Sequence, residues 1–285
     1  MPYCALHAVQ YEPIVRRALE EDLGRAGDLT TETLVDPQCQ AVAHVVAREA
    51  GCVAGLAPAL AAFKMLDPTV AVGSHIADGA AVEAATLLAT LSGPARTILS
   101  AERVALNLLG RMCGIATATA RATAACRGTG ATVVCTRKTA PGLRVLDKYA
   151  VRMGGGGNHR FGLDDGILIK DNHIAAVGGI DAVLTRLKRR TGHMVKVEIE
   201  VDTLDQLDRV LDIGGVDAVL LDNMSPETLC EAVRRVGGRL LTEASGGITP
   251  DHIAAVAAAG VDLISLGWLT HSVRNFDVAL DFQCG

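Results

Sequence analysis

Six short apolar runs in the second half of the chain are each followed by residues able to bind an anion, a hydroxyl or a metal ion. They are Arg137 and Lys138, then Lys170 with Asp171, Asn172 and His173, then Glu200, then Asp222 with Asn223, then Glu243 with Ser245, Gly246 and Gly247, and last Gly267. Guanidinium and ammonium groups recognise carboxylates and phosphates through charge-assisted hydrogen bonds. Carboxylates such as Glu200 and Asp222 bind ribose hydroxyls or hold Mg2+, which takes oxygen ligands. The glycine-bearing turns SGGITP and LGWLTHS, around Ser245, Gly246 and Gly267, can turn backbone N–H groups toward a phosphate. The combination predicts a multiply anionic ligand. A further stretch, MGGGGNHRFG at 153–162, sets four glycines before His159 and Arg160. It lacks the G-x-G-x-x-G spacing of a dinucleotide loop. It reads either as a flexible loop or as a tight backbone turn that delivers an imidazole and a guanidinium to an anion.

A lone charged residue at a strand end is usually a solvated loop group. The weight lies in the succession, so the elements carrying it matter. The apolar runs are 132–135, 167–169, 195–199, 218–221, 239–242 and 263–266, with helix-like segments between them. Strand-then-helix repetition predicts a parallel sheet, and in a barrel the strand C-termini converge on one face that holds the site. Six units fall short of the usual eight, so an incomplete α/β barrel is expected over 116–271. Ser225-Pro226-Glu227 and Thr249-Pro250-Asp251 each offer an N-cap hydroxyl, Pro at N1 and an early carboxylate, which predicts helix starts. Upstream, a helix over 11–23 and strands at 41–50 and 85–91 predict an N-terminal α/β sandwich. The helical run 98–126, read as one long helix or two abutting ones, links the domains. The first domain is placed at 1–115 with that helix, and 272–285 is expected to pack with it.

Composition narrows the partners. The 285 residues are 49% hydrophobic, 21% charged and only 3% aromatic, with 30 Gly, which suits a globular core of small aliphatics. A net charge of -5 argues against a general nucleic-acid or membrane-surface role, so any anion site is local. The eight cysteines, Cys4, Cys39, Cys52, Cys113, Cys126, Cys135, Cys230 and Cys284, contain no C-x-x-C pair and predict reduced, mostly buried thiols. No basic leader or run of ~18 apolar residues is present, so a cytoplasmic protein is expected.

The motifs CTRKTAPGLRVLDKYAV (135–151), GGGGNHRFGLDDGILIKDNH (154–173), EIEVDTLDQL (198–207), LLDN (220–223), EASGGIT (243–249) and LGWLTHS (266–272), in this order, resemble the quinolinate phosphoribosyltransferases. DLTTETL and LSAERVALNLLGRMCGIAT extend the resemblance upstream, so that it covers about 21–272. It implies an N-terminal sandwich joined to an incomplete barrel, in a homodimer or higher oligomer whose active site takes residues from both subunits. It also implies the conversion of quinolinate and phosphoribosyl pyrophosphate to nicotinate mononucleotide, CO2 and pyrophosphate in de novo NAD biosynthesis, with Mg2+ and no organic cofactor. By motif, Arg103, Arg137, His159, Arg160 and Lys170 would line the quinolinate pocket. Lys138, Glu200, Asp222, Ser245, Gly246 and Gly267 would handle phosphoribosyl pyrophosphate, with Glu200 and Asp222 as the metal-binding pair. Lys138, Lys170, Glu200 and Asp222 would be catalytic, and Arg103 would be lent by the neighbouring subunit. Cys135 departs from the Asp or Gly associated with that place in the family, and reads as a buried small hydrophobe.

The residues fit the implied chemistry. Quinolinate carries two adjacent carboxylates, for which a set of arginines offers forked hydrogen bonds. Three other readings stay open: a related transferase for another base, a Schiff-base aldolase built on Lys170, and a non-catalytic phosphometabolite-binding barrel. For protonation of the product ring at C2, the sequence leaves Lys170 and His159 as equal candidates.

Overall fold

The computed structural model describes residues 5–284, so Cys4 lies outside the described residues. In chain order the elements are α1 (Ala8–Leu23), α2 (Leu29–Leu34), β1 (Gln40–Ala47), β2 (Gly51–Cys52), α3 (Leu56–Leu66), β3 (Ala71–Ser74), β4 (Ala81–Val82), β5 (Leu87–Pro94) and α4 (Ala95–Ala125). After them come β6 (Thr132–Val134), α5 (Arg144–Met153), β7 (Ile167–Ile169), α6 (Asp171–Val177), α7 (Ile180–Arg190), β8 (Val197–Val201), α8 (Leu204–Ile213), β9 (Ala218–Asp222) and α9 (Pro226–Val236). The chain continues with β10 (Leu241–Ser245), a 3-10 turn at Pro250–His252, α10 (Ile253–Ala258), β11 (Leu263–Ser265), α11 (Trp268–His271) and β12 (Val278–Cys284). Two compact units result. The first takes the chain up to Ala120, Thr139–Gly155 and Trp268 onward; the second takes Arg121–Lys138 and Gly156–Gly267.

The first unit holds a four-stranded antiparallel sheet in the order β12-β1-β5-β3. In β1, Ala41, Ala43 and Val45 are buried while Gln40 and Val42 are exposed, the period-2 alternation of a sheet with one covered face. The run 98–126, read as one helix or two, is the single helix α4 up to Ala125, whose Ile98, Ala101, Ala105, Leu109, Met112 and Ala116 recur at three- and four-residue steps and are all buried. Asp28 caps α2 by accepting the Thr31 N–H at 2.9 Å.

One ion pair organises this unit. Arg111 Nε and Nη2 donate to the two oxygens of Asp147, each at 2.8 Å, and Nη2 also donates to the Thr270 carbonyl at 2.9 Å. The Ala140 N–H donates to Asp147 Oδ2 at 3.0 Å. Asp147 has no exposed side-chain surface. A forked guanidinium and a backbone amide therefore satisfy a fully buried carboxylate, fastening α5, the 139–143 loop and α11 to α4.

The second unit is a six-stranded parallel sheet in the order β6-β11-β10-β9-β8-β7. Sequential strands are neighbours except across one gap, since β6 and β7 do not pair. The glycine run stands beside β6: the Gly157 N–H donates to the Val133 carbonyl at 2.8 Å, and the Cys135 N–H to the Gly157 carbonyl at 3.2 Å. Of the four glycines, Gly155 alone has a positive φ, +86°. Gly154 serves close approach, because a Cβ there would meet Ala116 O and Thr119 Cβ on α4. The predicted tight turn is thus a single left-handed residue followed by an extended, strand-like segment.

β8 and β10 begin two residues later than their apolar runs. Leu241 takes up pairing with Ala218, leaving Arg239 and Leu240 in the preceding turn, and Val197 pairs with Ile167 after Lys196. Ser225 caps α9 as its sequence predicts, but Thr249 makes no side-chain cap, and a 3-10 turn precedes the helix. Cys39, Cys52, Cys113, Cys126, Cys135 and Cys230 are free thiols; all but Cys39 and Cys230 are buried. No described helix is long and apolar enough to cross a membrane.

Asp147→Asn is expected to lower unfolding stability by about 3 kcal/mol, the scale of a broken buried ion pair. Urea denaturation reads this directly, and a loss below about 1 kcal/mol would mean that the pair behaves like a surface one.

Candidate active site

The C-terminal ends of the parallel strands gather a mixed charge set. Lys170, one residue past β7, donates from Nζ to Glu200 Oε2 on β8 at 2.7 Å. Its backbone N–H donates to His173 Nδ1 at 2.9 Å, fixing the start of α6. Asp222 ends β9. Its carboxyl is held above the usual carboxylate range, first by burial and then by the charges of Glu200 and Asp202, with Lys170 and an Asn223 hydrogen bond partly offsetting them. The Asp222 carboxyl, with the charges of Glu200 and Asp202 beside it, belongs to an oxygen-donor set whose crowded negative charge a divalent cation would relieve. This chemistry fits Mg2+ at Glu200 and Asp222, and Asp202 joins them as a charge that the motif reading passed over.

Asn223 is the second residue that reading left without a role. Its φ of +54° is left-handed, and among the described non-glycine residues only Ala85 shares a positive φ. Its amide donates to Asp222 Oδ2 at 2.6 Å, and its backbone N–H donates to the Ser245 carbonyl at 2.9 Å. A Cβ at Gly246 would collide with the Asn223 side chain. Gly246 therefore does more than expose backbone: its missing side chain makes room for the amide that orients Asp222.

Arg137 and Arg160 form the cationic side. They lie close enough for the Arg137 charge to depress the protonation of Arg160, second to burial, against an opposing contribution from Glu198. Arg160 Nη1 donates to the Gly166 carbonyl at 3.1 Å, yet the buried Nε atoms of both arginines have no hydrogen-bond partner. Two like charges brought together with donors unsatisfied are the mark of a site built for an anion. Lys138 is exposed, and its backbone N–H donates to the Thr136 hydroxyl at 3.0 Å. Ser245 and Gly267 are half-buried at the ends of their strands. Arg103, on α4 in the first unit, is 64% exposed in its side chain and 3.9 Å from Glu102.

His159 is set differently from the arginines around it in sequence. Its Nδ1 accepts the Arg160 N–H at 2.7 Å, and its Nε2 lies 2.8 Å from Glu198 Oε2 and 3.9 Å from Glu243 Oε2. A cavity of about 640 Å3 reaches this cluster from the strand-start side, lined by Ile167, Val197, Ala218, Leu241 and Leu263. Glu198 was within a recognised motif but unassigned. The signal was present in E-I-E, since residues two apart on a strand share a face and Glu198 must point inward with Glu200. Cys135, the departure in its motif, is buried, with Sγ 3.2 Å from Asn158 Oδ1.

Sequence comparison gives this geometry its relatives. The profile of the quinolinate phosphoribosyl transferase N-terminal domain matches residues 28–113, and that of the C-terminal domain matches 115–281. A probable carboxylating nicotinate-nucleotide pyrophosphorylase of Bacillus subtilis is 42% identical, covering 97% of this chain and 94% of the relative. The Mycobacterium leprae nicotinate-nucleotide pyrophosphorylase is 44% identical over 94% of this chain and 95% of its own. Among solved structures, NadC from Streptococcus pyogenes superposes with a TM-score of 0.94 at 36% identity, covering 99% of both chains.

An aromatic 1,2-dicarboxylate at a hundred times its dissociation constant is expected to stabilise the protein by about 2.7 kcal/mol, seen as a raised Tm. At the same ligand concentration Arg137→Ala should cut this to below about 1 kcal/mol. A shift of equal size in the variant would remove the arginine pair from the anion site.

Proposed function

The chain belongs to the quinolinate phosphoribosyltransferase family, and from that membership we propose how its own residues carry the reaction. The reaction joins quinolinate to phosphoribosyl pyrophosphate and yields nicotinate mononucleotide, CO2 and pyrophosphate, a step of de novo NAD biosynthesis. What supports the residue assignment most is the arginine pair: Arg137 and Arg160 are close, buried at Nε and unpartnered there. A planar diacid supplies the missing acceptors.

In this reading Arg137, Arg160 and Lys170 hold the two carboxylates, with His159 fixing the Arg160 backbone and Arg103 completing the pocket from a second copy in a homodimer or higher oligomer. The exposure of Arg103 leaves it available to a partner. Lys138, Ser245, Gly246 and Gly267 bind the phosphates, and Glu200 and Asp222 meet the ribose hydroxyls. The same two carboxylates would hold Mg2+, directly or through water or substrate; when bound, it neutralises charge on the pyrophosphate. No organic cofactor enters, and the protein works in the cytoplasm.

The pyridine nitrogen uses its lone pair to bond C1 of the ribosyl group while the C1–oxygen bond breaks and pyrophosphate departs. Glu200 and Asp222 stabilise the positive charge that develops on the sugar, and Lys138 receives the negative charge on the leaving group. The ring nitrogen is now quaternary. Its charge stabilises the electron pair left at C2 as CO2 leaves, and a proton must then reach C2. His159 has Nδ1 occupied by a backbone donor and Nε2 directed into the barrel. Lys170, an ammonium at the mouth, is therefore the donor. Its Nζ is also engaged with Glu200 at 2.7 Å in a charged setting, which is not the apolar surrounding that Schiff-base chemistry calls for.

Purified protein given quinolinate, phosphoribosyl pyrophosphate and Mg2+ is expected to release CO2 and form the mononucleotide; a folded protein that forms neither refutes the reading. Arg137→Ala should raise the KM for quinolinate by about 30- to 100-fold, corresponding to about 2–3 kcal/mol, and leave that for phosphoribosyl pyrophosphate nearly unchanged. Mixing Arg103→Ala subunits with Glu200→Ala subunits should restore activity if sites are shared, and should not if each chain is self-sufficient.

A further inference from the structure

We propose that Glu198 and Glu243 are positioning residues for quinolinate binding: Glu198 accepts a hydrogen bond from His159 Nε2, Glu243 stands beside it in the barrel interior, and together they hold His159 in the tautomer that fixes the Arg160 backbone. The proposal rests on the reading of Arg160 as a carboxylate-binding residue. Its geometry is a chain of contacts. Glu243 Oε2 lies 3.9 Å from His159 Nε2, which lies 2.8 Å from Glu198 Oε2, and His159 Nδ1 accepts the Arg160 N–H at 2.7 Å. Because Nδ1 receives a donor it bears no proton, so Nε2 carries one and donates to Glu198.

Glu198 and Glu243 are 12% and 2% exposed in their side chains, and Glu243 Oε1 is buried without a hydrogen-bond partner. Two adjacent buried carboxylates do not both ionise without a compensating cation. The three ligand atoms lie within 4.8 Å of one another, a spacing that a divalent ion would accept. Metal on Nε2, however, requires the neutral ring to carry its proton on Nδ1, where the Arg160 N–H already points. Two donors would then face each other, so a proton is the compatible occupant. In agreement, the Glu243 carboxyl is raised to about 7, chiefly by burial and then by the Glu198 charge, with His159 and the nearby Ser265 hydroxyl opposing.

The other charged groups around the cavity are engaged elsewhere. Lys196 pairs with Asp217 at 2.5 Å, Asp262 accepts the Thr242 N–H and hydroxyl, Asp165 accepts the Phe161 N–H, and Arg239 donates to the Val236 and Arg235 carbonyls. Arg160, on which Glu198 already acts, is the cation that a second negative charge on the pair would draw upon. Ionisation of Glu243 would thus pull the Arg160 guanidinium inward and away from substrate.

The test uses the full-length enzyme. The KM for quinolinate in the wild type is expected to rise as pH passes through about 7, without a matching step for phosphoribosyl pyrophosphate. Glu243→Gln, which mimics the neutral carboxyl, should remove that step. Stability follows the same sign: the Glu243 carboxyl titrates at 4.5 ordinarily and at about 7 when folded. Its contribution is therefore full below about pH 4.5, lost as pH rises through 7, and absent from the variant. Isotope-edited infrared spectra of the wild type should show a protonated glutamate near neutral pH that Glu243→Gln lacks. If that variant does not fold, the wild-type infrared spectra still read whether a buried glutamate is protonated near neutral pH. A step that persists in Glu243→Gln, equal changes for both substrates, no protonated carboxyl, or a stoichiometric divalent ion lost with Glu243→Gln would each overturn the proposal. A wild type that forms no mononucleotide would instead indict the assigned reaction.

Discussion

A parallel sheet that does not close must find partners for the backbone groups of its open edge. Here one of the two edges is β6, and its partner is the extended segment around Gly157, which exchanges hydrogen bonds with Val133 and Cys135. Much of the candidate site follows from that requirement. Once Gly157 lies alongside β6, the chain leaves it within the gap of the barrel, and His159 and Arg160 enter the interior. A closed eight-stranded barrel would have no such vacancy and no irregular segment at its core.

The sites of charge follow from strand alternation. Glu198 and Glu200 lie two apart on β8, and Glu243 and Ser245 two apart on β10, so each pair shares the inward face at different depths. The outer members stand at the strand ends; the inner members, Glu198 and Glu243, stand beside one another around His159.

The sequence made the strand-and-helix succession and the strand-end residues legible, because β-rich apolar runs and Gly–Pro punctuation are local signals. Boundaries at β8 and β10 were offset by two residues because pairing, a nonlocal event, decides where Val197 and Leu241 enter the sheet. Thr249-Pro250-Asp251 looked like Ser225-Pro226-Glu227, yet only Ser225 forms the cap, since a 3-10 turn intervenes at Pro250. Arg111 and Asp147 were invisible as a pair: they are 36 residues apart and neither stands at a strand end. Asn223 was hidden because its effect depends on a left-handed φ and on the absence of a side chain at Gly246, which only coordinates bring together.

The pairing of β12 with β1 bears on how the protein is made. The sheet partner of Ala41 is Cys284, so β1 waits for a strand that is made far later in the sequence. Contacts of such sequence separation form late and slowly. Until they do, β1 presents an open edge on a nascent chain whose intervening 121–138 and 156–267 segments form a separate compact unit. Loss of β12 would make that exposure permanent, and would be felt first as aggregation through β1, a strand distant from it in sequence.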